Sequence, residues 1–247
     1  MMHWATDIHL DHVIDRDAFY KKIEQCKNGL LISGDIANGK LLETILDELA
    51  TVGVPIYFVL GNHDFYGISI VEGHKIARES KLTFLTQSDL IEFDDFTLLG
   101  DDGWYDLRNG IPGGVYLNDF NFIKELKNPA IRDFTIQELA DKSVERINFK
   151  LYNACKIGKP IVMITHVPPF MENAVYQGKI SNSSWQPYFS CRAMGDLLTY
   201  QMENFPDVSL TVLCGHSHGS ADNTFDNIRC ITGGAQYRNP QLQKFTI

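Results

Sequence analysis

Short apolar runs alternate with longer stretches of helical periodicity through the first third of the chain. Met2 to Thr6 is a short run that leads into Asp7-Ile8-His9, and a helix is expected from about Asp15 to Cys26, stopped by Asn28-Gly29. Gly29 to Ser33 reads as a buried parallel strand ending in Gly34-Asp35. Leu41, Leu42, Ile45, Leu46, Leu49 and Val52 then recur at helical spacing up to Gly53. Pro55 to Leu60 is the next strand and ends in Gly61-Asn62-His63-Asp64, before a helix around Ile70 to Glu79. Strands that alternate with helices and return to one edge imply right-handed crossovers and a largely parallel sheet.

Past Thr83 the spacing shortens. The runs TFLT, LIEF and FTLLG lie too close together for intervening helices, so they pair antiparallel or begin a second sheet packed on the first. Asp101 to Pro129 is irregular and rich in Gly, Asn and aromatic residues, which suits a lid or binding loop. Thr135-Ile136-Gln137-Glu138 fits a capping box for a long helix with an apolar face of Ile136, Ala140, Val144, Ile147, Leu151 and Ala154, stopped by Gly158. Pro160 to Thr165 is a buried strand that delivers His166, and residues 171 to 189 form a second loop before a helix near Cys191 to Glu203. Val208 to Leu213 then runs into Gly215-His216-Ser217-His218-Gly219. Asn223 to Phe225, Asn227 to Thr232 and Gln241 to Ile247 look like closing hairpin strands around Asp226-Asn227. No repeat or linker interrupts the pattern, so residues 1–247 read as one domain.

Composition narrows the function classes. Among 247 residues, 44% are apolar and 21% charged, as in ordinary globular proteins. The 31 acidic and 22 basic residues give a net charge of -9 with no basic cluster, which disfavours a duplex nucleic acid partner. The five cysteines, Cys26, Cys155, Cys191, Cys214 and Cys230, lie mostly in apolar runs without a CxxC pair and read as reduced, buried thiols of a cytoplasmic protein. Neither a signal peptide nor an apolar run of about 20 residues is visible, so no export and no membrane span are expected.

The strand ends collect Asp7, His9, Asp35, Asn62, His166, His216 and His218 at one rim, where an open α/β sheet binds its ligands. On an extended segment the i and i+2 spacing would put Asp7 and His9 on one side. An isolated HxH pair is as well explained by a surface turn, but two carboxylates, one amide oxygen and four imidazoles in one set point to a metal. With no thiolate among them, the set suits a hydrolytic site of mixed N and O donors rather than a structural zinc. Seven donors exceed the needs of one ion. Two ions about 3.5 to 4 Å apart, sharing one carboxylate, would use them all, activating a water and clamping the oxygens of an in-line displacement, the chemistry of phosphoester hydrolysis.

At these motifs the sequence resembles the calcineurin-like metallophosphoesterase family. The family's DxH, GD, GNH followed by D or E, lone His and GHxH are met by Asp7/His9, Gly34/Asp35, Gly61 to Asp64, His166 and Gly215 to His218, so the resemblance runs from residue 7 to residue 218. It implies two packed, mixed β-sheets flanked by helices, a four-layer αββα sandwich. Only Ala5-Thr6 departs, being less apolar than the family's usual first strand, which is expected to be short or frayed. The resemblance further implies that Asp7, His9 and His218 hold one ion, that Asn62, His166 and His216 hold the other, and that Asp35 bridges them. His63 would then sit against the substrate phosphate as general acid or charge stabiliser, with Asp64 fixing its ring. Mn, Fe and Zn all accept such donors, and the family suggests Mn or a mixed Fe and Mn pair.

The expected substrate is a small phosphomonoester or phosphodiester, with a nucleotide as one candidate. A phosphoprotein phosphatase, or a non-catalytic metal-binding interaction module on the same scaffold, are the alternatives. Substrate contacts fall to the loops, where Arg108 and Arg192 could bind phosphate oxygens in a fork and Trp104 could stack on a planar group. His3 and His74 read as ordinary residues and His12 as a neighbour of the site.

Overall fold

Strands with no polar face must be covered on both sides, and such strands form the middle of each sheet. The computed structural model describes residues 2–243, 245 and 246. Its first sheet has four parallel strands in the order β1 (His3–Ala5), β2 (Leu30–Ser33), β3 (Ile56–Val59) and β4 (Thr83–Phe84). The crossovers are α1 (Arg16–Ile23), α2 (Gly39–Thr51) and α3 (Ile70–Glu79). Although β1 is only 3 residues long, it is not frayed: Trp4 is buried and its indole Nε1 donates to Ser33 Oγ at 2.9 Å.

The runs after Thr83 divide between both expected outcomes. β4 joins the first sheet, whereas β5 (Ile91–Glu92) pairs antiparallel with β6 (Thr97–Gly100) and opens a second, six-stranded sheet. That mixed sheet runs on from β6 through β7 (Ile161–Ile164), β10 (Leu210–Cys214) and β12 (Ile228–Thr232), all parallel neighbours, to the antiparallel edge strand β11 (Ala221–Phe225). Only the second sheet is mixed; the first is wholly parallel. The strands β8 (Val175–Tyr176) and β9 (Lys179–Ile180) form a separate hairpin inside the second loop.

Period-2 alternation decides the layers. Trp4, Leu31 and Val59 of one sheet meet Leu98, Val162, Ile164, Leu213 and Ile231 of the other. Their sequence neighbours Ile32, Phe58, Leu99, Met163 and Val212 point outward, into a core shared with Ile45 and Leu49 of α2, with Ile147 and Leu151 of α5 (Arg132–Ile157) and with Leu198 of α7 (Arg192–Glu203). The result is a helix, sheet, sheet, helix sandwich. Each fully buried Leu, Ile or Phe contributes roughly 1.5–3 kcal/mol.

Two local expectations fail. Thr135 is no cap: α5 begins at Arg132, one turn earlier, and the Thr135 hydroxyl donates back to the Ile131 carbonyl at 2.9 Å. The sequence from Gln241 onward forms no strand among the described residues, beyond a single bridge of Gln243 to Trp4; Lys244 and Ile247 lie outside the described set. The face of α5 also buries Lys150, whose ammonium donates to the carbonyls of Leu85, Thr86 and Gly100 at 2.6, 3.1 and 3.0 Å and so ties β4's end to β6. All five cysteines are free and buried. No helix among the described residues is long and apolar enough to cross a membrane.

His74, on α3, is less ordinary than its sequence context suggests. Its Nε2 lies 2.7 Å from Asp102 Oδ2, and Asp102 Oδ1 accepts from Leu60 N at 2.7 Å and Thr86 Oγ1 at 2.6 Å. Burial opposes the charge on both partners, but the bond to Asp102 raises the imidazole above its ordinary 6.5 and the bond to His74 lowers the carboxyl below its ordinary 3.8. The pair therefore stabilises fully between pH 3.8 and 6.5; that contribution fades as pH rises through the raised imidazole pKa or falls through the lowered carboxyl pKa. His74→Gln is expected to lower unfolding stability by about 1–3 kcal/mol at pH 5, with the gap to wild type narrowing towards pH 9 in urea titrations. A gap independent of pH would mean that the pair is held as a neutral hydrogen bond.

Candidate metal centre

Every candidate donor stands just past the carboxyl end of a strand, and most of these ends turn abruptly. Among the described non-glycine residues nine have positive φ, and five of them are Asp7 (48°), His9 (39°), Asp35 (52°), His216 (70°) and His218 (61°). Asp7 and His9 therefore reach the rim from left-handed backbone, not from the extended segment expected, at a cost of about 1–3 kcal/mol for each strained residue. The motif glycines make room for the acids: a Cβ on Gly61 would overlap the Asp35 carboxylate, and one on Gly215 the Asp7 carboxylate.

Asp7, His9, Asp35 and His218 each offer a donor atom within 4.8 Å of the others. His9 Nε2 and His218 Nε2 lie 3.3 Å apart, and His218 Nε2 is 3.4 Å from Asp7 Oδ1. Beside them Asn62 Oδ1 is 3.1 Å from His166 Nε2 and 3.0 Å from His216 Nδ1, and His166 Nε2 is 3.4 Å from Asp35 Oδ1. The other nitrogen of each of these two rings faces a backbone carbonyl, His166 Nδ1 on Ser33 O at 2.9 Å and His216 Nε2 on Tyr188 O at 2.9 Å. A carbonyl only accepts, so those nitrogens carry hydrogens and the inner ones face the centre, that of His216 with a lone pair. The Asn62 amide nitrogen likewise donates outward, to Asp119 Oδ1 at 2.9 Å, leaving its oxygen inside. The Asn62 oxygen and the two inner ring nitrogens converge, an arrangement that a cation satisfies once His166 has given up its inner proton, and one that fits the metal implied by the sequence.

Protonation follows the same logic. Burial pushes the Asp7 carboxyl up, but the His218 hydrogen bond and the charge of His166 outweigh it and hold it at about 2. Asp35 is held well below its ordinary value because the charges of His166 and His63 overcome burial. Burial drops His9 and His216 to about 4, so both rings are neutral. His166 is raised to about 10, its burial outweighed by Asp35, so a metal arriving there displaces a proton.

The model of the calcineurin-like phosphoesterases matches residues 4–220. The chain belongs to the calcineurin-like phosphoesterase family. It is accordingly a metal-dependent phosphoesterase. An uncharacterised protein of Acanthamoeba polyphaga mimivirus is 20% identical over 258 residues, covering 96% of this chain and 91% of that protein. The phosphopantetheinyl hydrolase of Mycobacterium tuberculosis shares the fold at a TM-score of 0.73 and 13% identity, over 96% of this chain and 89% of that one. A dimetal phosphatase from Danio rerio does so at 0.59 and 15% identity, over 94% and 87%.

The remaining expected site residues fall differently around the phosphoesterase centre. His63 faces it, with Nε2 4.0 Å from Asp35 Oδ2 and its ring stacked on Tyr66 at 4.2 Å. Asp64 does not fix that ring: its carboxylate accepts the backbone amides of Ile36, Ala37 and Gly61 at 2.8, 2.9 and 2.8 Å and locks two ligand loops together. The three substrate candidates lie away from the cleft. Trp104 is buried against Phe65, Arg108 forks onto Asp141 of α5 at 2.6 and 2.8 Å, and Arg192 pairs along its own helix with Asp196. None of them lines the cleft of about 750 Å³ that opens over the centre. His12 lies beside it, its ring 6.2 Å from that of His9.

Two residues at the site carry no local signal in the sequence. Asp119, at the start of α4 (Asp119–Phe122), accepts from Asn62, from Tyr66 OH at 2.5 Å and from Tyr105 OH at 2.8 Å, which fixes the Asn62 amide with its oxygen inward. The Tyr237 ring lies tilted beside the donors, its centroid 4.5 Å from that of His9 and 5.1 Å from that of His218. Replacing Asp119 with Asn puts a donor against Asn62 or Tyr105, so Asp119→Asn is expected to weaken binding of one of two Mn²⁺ equivalents by about 10–100-fold in calorimetric titration, whereas Arg192→Ala leaves both unchanged.

Proposed function

We propose that this phosphoesterase hydrolyses a small phosphomonoester or phosphodiester at a pair of metal ions. Asp7, His9 and His218 hold one ion, Asn62, His166 and His216 the other, and Asp35 is shared. The observation that carries the assignment is the orientation of Asp35. Its Oδ2 faces His9 Nε2 at 3.7 Å and its Oδ1 faces His166 Nε2 at 3.4 Å, so one carboxylate addresses both donor groups. Bound there, the metals supply Lewis-acid polarisation of the phosphoryl oxygens and a water of lowered pKa.

The chain's own residues then do the rest. His63 donates to the ester oxygen that departs, or to a phosphoryl oxygen as negative charge gathers on it; its place on the cleft wall above Asp35 supports that role. Its backbone N–H holds Asp35 Oδ1 at 2.9 Å, so the same residue positions the shared ligand. Asp64 acts only by positioning, through its three backbone amides. Tyr66 seats the His63 ring and is itself held by Asp119. Mn, or a mixed Fe and Mn pair, suits these N and O donors, as does Zn. Residues 1–247 act as one catalytic domain in the cytoplasm, where five unpaired thiols stay reduced. A small ester is also in keeping with the names of two proteins of the same fold, a phosphopantetheinyl hydrolase and a dimetal phosphatase.

Metal-stripped protein reloaded with Mn²⁺ is expected to cleave an aryl phosphomonoester or an aryl phosphodiester, and to be inactive before reloading. His63→Ala should lower kcat by a factor of about 10² or more while binding as many Mn²⁺ equivalents as wild type. Loss of a metal equivalent in that variant would instead make His63 a ligand, and protein that binds two ions yet cleaves no ester would turn the proposal towards a binding module.

A further inference from the structure

Away from the metal donors the cleft has a one-sided chemistry. Its walls carry six aromatic rings, those of Tyr66, Tyr116, Tyr176, Trp185, Phe189 and Tyr237, and among the described residues no lysine or arginine lines it. Asp119, the one wall carboxylate outside the donor set, has both oxygens taken up by Asn62, Tyr66 and Tyr105. A site that holds several phosphates ordinarily meets them with guanidinium or ammonium groups. Positive charge in this cleft is confined to the floor, so a second or third phosphate would lie over aromatic wall without a partner.

The rings on one side form a ladder leading out from the floor. Phe189 stands edge to face on His216, with centroids 5.3 Å apart, and Trp185 lies parallel to Phe189 at 5.2 Å and 12°. Trp4 and Trp104 are 1% and 5% exposed, whereas Trp185 at the end of the ladder is 36% exposed. Phe189 holds the indole plane, so the exposed tryptophan is a preset stacking surface within reach of the phosphate position.

Resting on the phosphoesterase reading above, we infer that the substrate carries a single phosphate and a flat ring on its alcohol side, as a nucleoside monophosphate or its cyclic ester does. The phosphate sits on the floor and the ring stacks on Trp185. Specificity comes from the ring ladder and from the lack of wall cations, which turns away polyphosphates.

The test compares kcat/KM of the metal-loaded enzyme for adenosine 5′-monophosphate, adenosine 2′,3′-cyclic monophosphate, glycerol 3-phosphate and adenosine triphosphate. The better of the two single-phosphate nucleotides should exceed glycerol phosphate by a factor of about 5 to 100, and the triphosphate should fall below it. Trp185→Ala should collapse that ratio and Trp185→Phe should largely keep it. A glycerol phosphate rate within twofold of the better nucleotide, or a preferred triphosphate, overturns the inference and leaves the phosphoesterase reading intact. A second readout needs no turnover: adenosine 5′-monophosphate should quench the tryptophan fluorescence of Zn²⁺-loaded wild type but not of Trp185→Phe, and glycerol phosphate should quench neither. If no ester is cleaved, the reading of the activity fails while that quenching still upholds the stacking site; absent quenching in wild type overturns it.

Discussion

Two ionised carboxylates, Asp7 and Asp35, lie buried at the seam between two sheets, and the rest of the centre answers the charge they bring. An unpaired carboxylate in such a place costs several kcal/mol. Backbone meets part of the demand: the amide of His216 donates to both oxygens of Asp7, and the amide of His63 to Asp35. Each of these amides comes from a different motif than the acid it serves, so neither acid is satisfied until a second strand end is in place. Imidazoles and metal meet the remainder. The left-handed backbone at five donors and the glycines that clear space for the acids are consequences of the same requirement.

The donor set and the sandwich were legible because both are written locally. An apolar run that stops at Gly-Asp, Gly-Asn-His-Asp or Gly-His-Ser-His states a strand, its end and its chemistry within a few residues. What was not legible depends on partners far along the chain. Nothing near Arg108 says that Asp141 will take its guanidinium, and nothing near Asp64 says that its oxygens will face three amides rather than the adjacent ring. Asp119 sits in an irregular stretch with no periodicity to mark it, yet it reaches 57 positions back to orient Asn62. The false capping box at Thr135 has a different cause. Capping residues announce a helix start only when the preceding turn is not helical, and residues 132 to 134 are.

Both irregular segments serve the floor and the cleft above it. The first supplies Asp119 and Tyr105, which brace the donors from behind; the second supplies Phe189 and Trp185 at the cleft's lip and the Tyr188 carbonyl that sets the His216 tautomer. Loops on a sheet scaffold thus carry both the fine positioning of the donors and the shape of the cleft. Tyr116 of the first segment also lines the cleft, so changes in either segment reach both the donors and what the cleft admits.

The order of the second sheet has a consequence for how the protein is made. β10, which presents His216 and His218, is hydrogen-bonded between β7 and β12. A ribosome releases the amino-terminal part first, so the like charges of Asp7 and Asp35 emerge, with His9 beside them, long before the histidines that complete the centre. The nascent chain holds a half-built centre until β10 arrives.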